Sequence, residues 1–322
     1  MVSTIGLIAI ASYTLMTRRI SKFSMPTFSL RFQEKRNTTL VVLMGTLRCG
    51  EAAWNSLYSN LLDPNSADLA LLVPRSSSRS ATLYERSKFI WEHEEYDDWG
   101  EAIDEYIVGS NATGWRHIAN NTQTFGIFGG TKVSPRGSGA ITLLSRVFLQ
   151  ERIKSLGLVE KYDRFVVTRS DQYYLCPIDL GHLDNRFLWV PQGEDYNGIC
   201  DRYLVSNNTH ILDALNILPP VVVNPLRYWD LSNRDNVEKL LKRRWIEDGL
   251  WNDVKRFPRV MFTCAALGDI SRWRRPMLSN EVFKGVYLKY EGEYNASLKT
   301  CGDYLSTSVA ISSSGSNNFT VV

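Results

Sequence analysis

Continuous apolar runs, each closed by a glycine, a proline or a polar cluster, are the strongest pattern along the chain. TTLVVLMG (38 to 45), ADLALLVP (67 to 74), the centre of YDRFVVTRSD (162 to 171) and FLWVP (187 to 191) have the unbroken hydrophobicity of strands covered on both faces. That is the pattern of a parallel sheet. Between the first two runs, residues 52 to 62 put Trp54, Leu57, Leu61 and Leu62 on one face at helical spacing. Strand, helix and strand in this order predict a Rossmann-type α/β sheet flanked by helices. Further along, residues 84 to 106 read as mainly helical, and Gly126, Gly129 and Gly130 punctuate a loop. A Gly/Ser turn at 137 to 139 opens an amphipathic helix to about residue 156, with Ile141, Leu144, Val147 and Phe148 inward. A helix from 209 to 218 ends at Pro219 and Pro220, residues 236 to 245 form another, and 256 to 264 read as a late strand.

This pattern divides the chain into a segment and stem at 1 to 37, one domain from 38 to 305, and a Ser/Asn-rich tail at 306 to 322 that reads as disordered. Residues 2 to 16 carry no charge and are followed by Arg18, Arg19 and Lys22. A helix of that length spans about 22 Å, short of a hydrocarbon core of roughly 30 Å, so membrane association through this segment is marginal. The basic flank points to the cytoplasm by the positive-inside rule. Six acceptor sequons, at Asn37, Asn111, Asn120, Asn207, Asn295 and Asn318, point instead to a luminal, secretory-pathway protein.

Composition narrows the function classes. The net charge of +3 rests on 37 basic and 34 acidic residues, which excludes the basic footprint of a nucleic-acid binder. The five cysteines show no CxxC pair and no zinc spacing. In an oxidising compartment they permit disulfides, and their odd number leaves one thiol over.

The chemistry-bearing residues gather where the strands end. Arg169, Ser170 and Asp171 follow the third strand directly, and ligands of open parallel sheets bind just outside such ends. Asp171 suits a hard divalent cation, Mn²⁺ or Mg²⁺, and Arg169 a bidentate phosphate contact. The turn Gly45, Thr46, Leu47 and Arg48 after the first strand offers backbone N–H groups to a nucleoside diphosphate. In GEDYNGICDRYLV (193 to 205), Asp201 is the first candidate for a general base and Glu194 the second. Glu238 reads as part of a solvated helix face, and His93, His117, His182 and His210 as structural or exposed. The basic clusters at 242 to 244 and 272 to 275 read as solvated surface.

YDRFVVTRSDQYYLCP, WVPQGEDYNGICDRYLV and NVEKLL, in that order, resemble glycosyltransferase-like proteins of GT-A character from eukaryotic algae and large DNA viruses. That group is in turn similar to bacterial polysaccharide glycosyltransferases. The resemblance covers roughly residues 38 to 301 and implies a GT-A-like fold, a nucleotide-sugar donor and a glycan or glycoprotein acceptor. It puts Asp171 in the position of a metal-binding or diphosphate-facing acid, although Ser170-Asp171-Gln172 replaces the usual Asp-x-Asp. It implies a Golgi or other luminal setting, or the cytoplasm for a virus-encoded enzyme. The competing expectations are a non-catalytic carbohydrate-binding or surface glycoprotein with this fold, and a glycoside hydrolase with Asp171 and Glu194 or Asp201 as its carboxylate pair.

Overall fold

The computed structural model describes residues 39 to 314 apart from 76 to 80, 108 to 113, 268, 270 to 280 and 284. The N-terminal apolar segment and stem, the sequons at Asn37, Asn111 and Asn318, and the cluster at 272 to 275 lie outside the described residues. No helix among the described residues is long and apolar enough to cross a membrane.

β1 (Thr39–Met44) leads into α1 (Glu51–Leu57), which continues as a π-helical turn over Tyr58–Leu62. β2 (Asp68–Pro74), a short α2 (Thr82–Arg86) and β3 (Phe89–His93) follow. Then come α3 (Trp99–Tyr106), α4 (Gly114–Asn121) and the long α5 (Gly139–Ser155). β4 (Arg164–Thr168), β5 (Gln172–Tyr174), β6 (Leu188–Pro191) and β7 (Leu204–Asn207) occupy the middle of the chain. α6 (Ile211–Leu215), α7 (Leu218–Val223), α8 (Val237–Glu247), β8 (Val254–Phe257) and β9 (Met261–Ala265) come next. β10 (Glu281–Phe283), β11 (Val286–Leu288) and α9 (Glu291–Ser314) complete the fold.

Seven strands form one sheet in the order β3-β2-β1-β4-β7-β6-β8, and β5, β9, β11 and β10 form a smaller antiparallel sheet. In the large sheet only β7 is reversed; it runs antiparallel to both β4 and β6. The α/β expectation holds, and the strand pattern explains why. In β1, Leu40 and Val42 enter a core shared with α3 to α8, while Val41 and Leu43 enter a second core with α1, the small sheet and α9. A strand buried on both faces has no polar face to alternate, hence its continuous apolar run.

Several expected elements are corrected. The region from 84 to 106 is not one helix: β3 lies within it and pairs with β2 in parallel, Leu72 opposite Trp91. Pro219 and Pro220 do not end a helix but start α7, where a missing N–H costs nothing because first-turn amides have no helical partner. The late strand is two, β8 and β9, separated around Pro258 and belonging to different sheets. β7, which begins at the end of the 193 to 205 stretch, is an unexpected strand of the main sheet. α9 runs to Ser314, past the expected domain end at 305.

Two disulfides fasten the layers. Cys49–Cys264 ties the start of α1 to β9, and Cys176–Cys301 ties the segment after β5 to α9; Cys200 is the leftover thiol, buried.

Candidate functional site

The chain steps outward from β1 to β2 to β3 and then returns to place β4 on the other side of β1. The order therefore switches between β1 and β4, and a crevice opens outside their carboxyl ends. A cleft lies at that point, lined by the β1 turn (Gly45, Thr46, Arg48), the end of β4 (Thr168, Arg169), Asp201 and Arg202, the face of α5 that carries Thr142 and Ser145, and Lys289 with Tyr290. His93, the last residue of β3, and Glu95 just after it complete one end of the cleft.

Each of these residues is placed by topology. Because β7 is reversed, its N-terminal end lies at the edge where β4 finishes: Val167 stands opposite Leu204, so Asp201 and Arg202 arrive beside Thr168 and Arg169. β11 ends at Leu288 in the small sheet, and the Lys289 amide bonds the Thr263 carbonyl on β9, which delivers Lys289 and Tyr290 to the same cleft. Gly45 leaves β1 with a φ of 94°, a left-handed conformation suited to glycine.

Part of the first turn is tied into the fold. The Gly45 amide donates to the Leu72 carbonyl, the Arg48 amide to Ser170 Oγ at 3.0 Å, and the Cys49 amide to Asp269. These N–H groups are already satisfied, and the turn's contribution to the cleft includes the Arg48 side chain. Ser170 also donates to the Thr46 carbonyl at 3.3 Å, which locks the β1 and β4 turns together.

Asp171 is buried behind the cleft rather than lining it. Its Oδ1 accepts from Arg169 Nε at 2.9 Å and its Oδ2 from Arg169 Nη2, with Lys289 Nζ at 3.8 Å. Burial alone would raise its pKa, but Arg169 and Lys289 outweigh it and hold the carboxyl below its usual value. Both oxygens serve cations already, so this carboxylate does not fit Mn²⁺ or Mg²⁺ without losing them. Among the described residues no three His, Cys, Asp or Glu side chains gather as a metal site. Burial and the neighbouring Arg169, opposed by Asp171, push Lys289 down to about 8.

Asp201 lines the cleft, with its Oδ1 3.8 Å from Arg202 Nε. Its backbone carbonyl accepts from Arg146 Nη2 on α5 at 2.7 Å, fixing the chain beneath the carboxylate. Glu194 stands aside from the cleft and bonds Arg202 Nη2 at 3.4 Å and the Tyr196 hydroxyl. Glu238, expected on a solvated helix face, is instead drawn in at the start of α8. Gly198 packs so tightly on its backbone that a Cβ would sit 2.0 Å from the Glu238 carbonyl carbon, and Ile199 donates to its oxygen at 3.1 Å. Burial first, then the Asp201 charge, raise the Glu238 pKa to about 7.

That shift has a measurable sign. A carboxyl with a pKa of about 7 in place of 4.5 binds its proton more tightly when folded, so its stabilisation is complete below about 4.5 and lost as pH rises through about 7. Glu238→Gln should therefore be more stable than the wild type at pH 8 by on the order of 2 kcal/mol, and not at pH 4. Urea denaturation at the two pH values checks this; equal differences at both would remove Glu238 from the Asp201 environment.

Sequence reasoning missed Lys289, Tyr290 and the buried Glu293, which joins Arg202 to Arg259. The apolar VYL of β11 was their only local signal. Of the four histidines, His93 alone reaches this cleft. No protein-family model matches this chain, and no curated protein is detectably similar to it.

Proposed function

We propose that the chain is a nucleotide-sugar-dependent glycosyltransferase of GT-A character, acting on a glycan or glycoprotein acceptor. The observation that carries this reading is the charge of the cleft. Arg48, Arg169, Arg202 and Lys289 converge on a topological switch point; Asp171 offsets part of that charge from behind, Glu293 and Glu194 pair with Arg202, and Arg48 faces the cleft from the β1 turn. Such a cluster suits a diphosphate, which develops negative charge as it leaves; the bidentate fork of Arg169 expected for phosphate is turned onto Asp171, so Arg169 would meet the diphosphate through its remaining N–H groups. The single reversed strand supports the reading further, because it brings a carboxylate, Asp201, to the edge where the diphosphate would lie. Asp201 accepts the proton of an acceptor hydroxyl as that oxygen bonds to the anomeric carbon. The bond from that carbon to the diphosphate oxygen breaks with its electron pair, and the four cations receive the charge. In this scheme Asp171 holds Arg169 and Lys289 in place. The two disulfides and the sequons support a luminal location.

The test is thermal unfolding with nucleoside diphosphates and their sugar conjugates, with and without a chelator. A ligand at 100 times its Kd should stabilise by about 2.7 kcal/mol. The shift should survive chelation, exceed that of free sugars and vanish in Arg169→Ala. Stabilisation by free sugars alone would point to a carbohydrate-binding protein without turnover.

A further inference from the structure

The sequons within the described residues are not equivalent, and their surroundings sort them. Asn207, at the end of β7, is buried at 7% exposure, and each polar atom of its side chain is used. Its Nδ2 donates to the Asn185 carbonyl at 2.8 Å, and its Oδ1 accepts from Thr209 Oγ1 at 2.9 Å and from the His210 amide at 2.8 Å. This amide closes the turn from β7 into α6, and Nδ2 is the atom an N-linked glycan would occupy. A glycan there would replace one of the two hydrogens of a buried Nδ2 that is turned onto the Asn185 carbonyl, and would place a bulky polar group at a packed strand end.

Asn120 on α4 and Asn295 near the start of α9 are both exposed. The Asn120 Oδ1 accepts from Gln123 at 3.3 Å on the surface. Around each, the burial is carried by neighbours of other helical faces: Ile118 and Ala119 inward of Asn120, Glu293 and Ser297 inward of Asn295. Both asparagines therefore offer a glycan room outside the fold. Their sequon hydroxyls, Thr122 and Ser297, are buried and bonded to backbone carbonyls, so attachment precedes folding of these helices.

From this contrast we infer that the folded protein carries N-linked glycans at Asn120 and Asn295, whereas the Asn207 sequon is a structural turn that stays unmodified. The inference rests on the luminal location within the proposed function, and not on the transferase reading. The full chain, made in a eukaryotic secretory host, is recovered as folded soluble protein, released from glycans by peptide N-glycosidase in heavy-oxygen water and mapped by mass spectrometry, with free thiols counted in parallel. The expected result is label at Asn120 and Asn295, none at Asn207, and one free thiol, that of Cys200. Label at Asn207, or its absence at either Asn120 or Asn295 while the disulfides are intact, overturns the inference and leaves the luminal location standing. Five free thiols with no label overturn both.

Discussion

Asp201→Asn is expected to lower kcat for sugar transfer by about 10² to 10⁴ while leaving the donor affinity within about twofold. The substitution keeps the shape of a side chain that faces the cleft and removes its negative charge together with its capacity to accept a proton. Donor binding rests on other groups, because the cations around the diphosphate position are Arg48, Arg169, Arg202 and Lys289. One contact crosses between the two roles. Asp201 lies 3.8 Å from Arg202 Nε, a separation at which loss of the charge changes Arg202 little, since Glu293 holds the same guanidinium at 2.9 Å. Single-turnover kinetics, with donor affinity measured separately by titration, distinguish the outcomes. Near wild-type turnover would take the proton-acceptor role from Asp201 and pass it to Glu194, the second candidate, which reaches Arg202 from the other side. A large loss of donor affinity would instead make Asp201 part of the donor site.

The legible part of this fold is the part that is buried on both faces. β1, β2, β4 and β6 announce themselves because their residues enter core on either side, as Val41 and Val42 do. β3 was hidden because Phe89, Ile90 and Glu92 of this edge strand are not buried, so its run is broken by charge and sits among aromatic and acidic neighbours. The site was legible in the same uneven way. Arg48, Arg169 and Asp201 stand next to strands in the sequence, and the structure brings all three to one cleft. Asp201 was located there from the strand before it, but the strand that puts it there is the reversed β7 after it. Strand direction depends on pairing partners far along the chain, which local periodicity does not encode. Asp171 was read as a cation ligand from its place after β4; only the folded geometry shows Arg169 turned back onto it and Lys289, more than a hundred residues on, beside it. Glu238 was read as solvated because its helix is rich in charge, whereas its own place is set by the close approach of Gly198.

The largest expected loss of stability comes from a residue outside the cleft, Glu293, in the first turn of α9. Its side chain is fully buried. Oε1 accepts from both Arg202 and Arg259 Nη1 at 2.9 Å, and Oε2 accepts from the Thr263 amide at 2.6 Å. One carboxylate thus joins the start of β7, the loop before β9, β9 itself and α9. Two guanidinium groups, each 3% to 6% exposed in their side chains, depend on it for their buried counter-charge. Glu293→Gln removes that charge and turns one acceptor into a donor facing other donors, so the cost is that of a broken buried pair, about 3 to 5 kcal/mol. Glu194→Gln is the comparison, because Glu194 reaches the same Arg202 at 3.4 Å from a side chain 20% exposed, and its loss should cost no more than about 1 kcal/mol. Chemical denaturation of the two variants reads the difference directly. Arg202 is also held against the Tyr290 ring at 4.5 Å, so the guanidinium should shift rather than leave the cleft. Glu293→Gln should therefore weaken donor binding as well as stability, whereas an equal and small destabilisation in both variants would mean that the bonds of Arg259 to the Gln192 and Gly193 carbonyls hold the junction without the carboxylate.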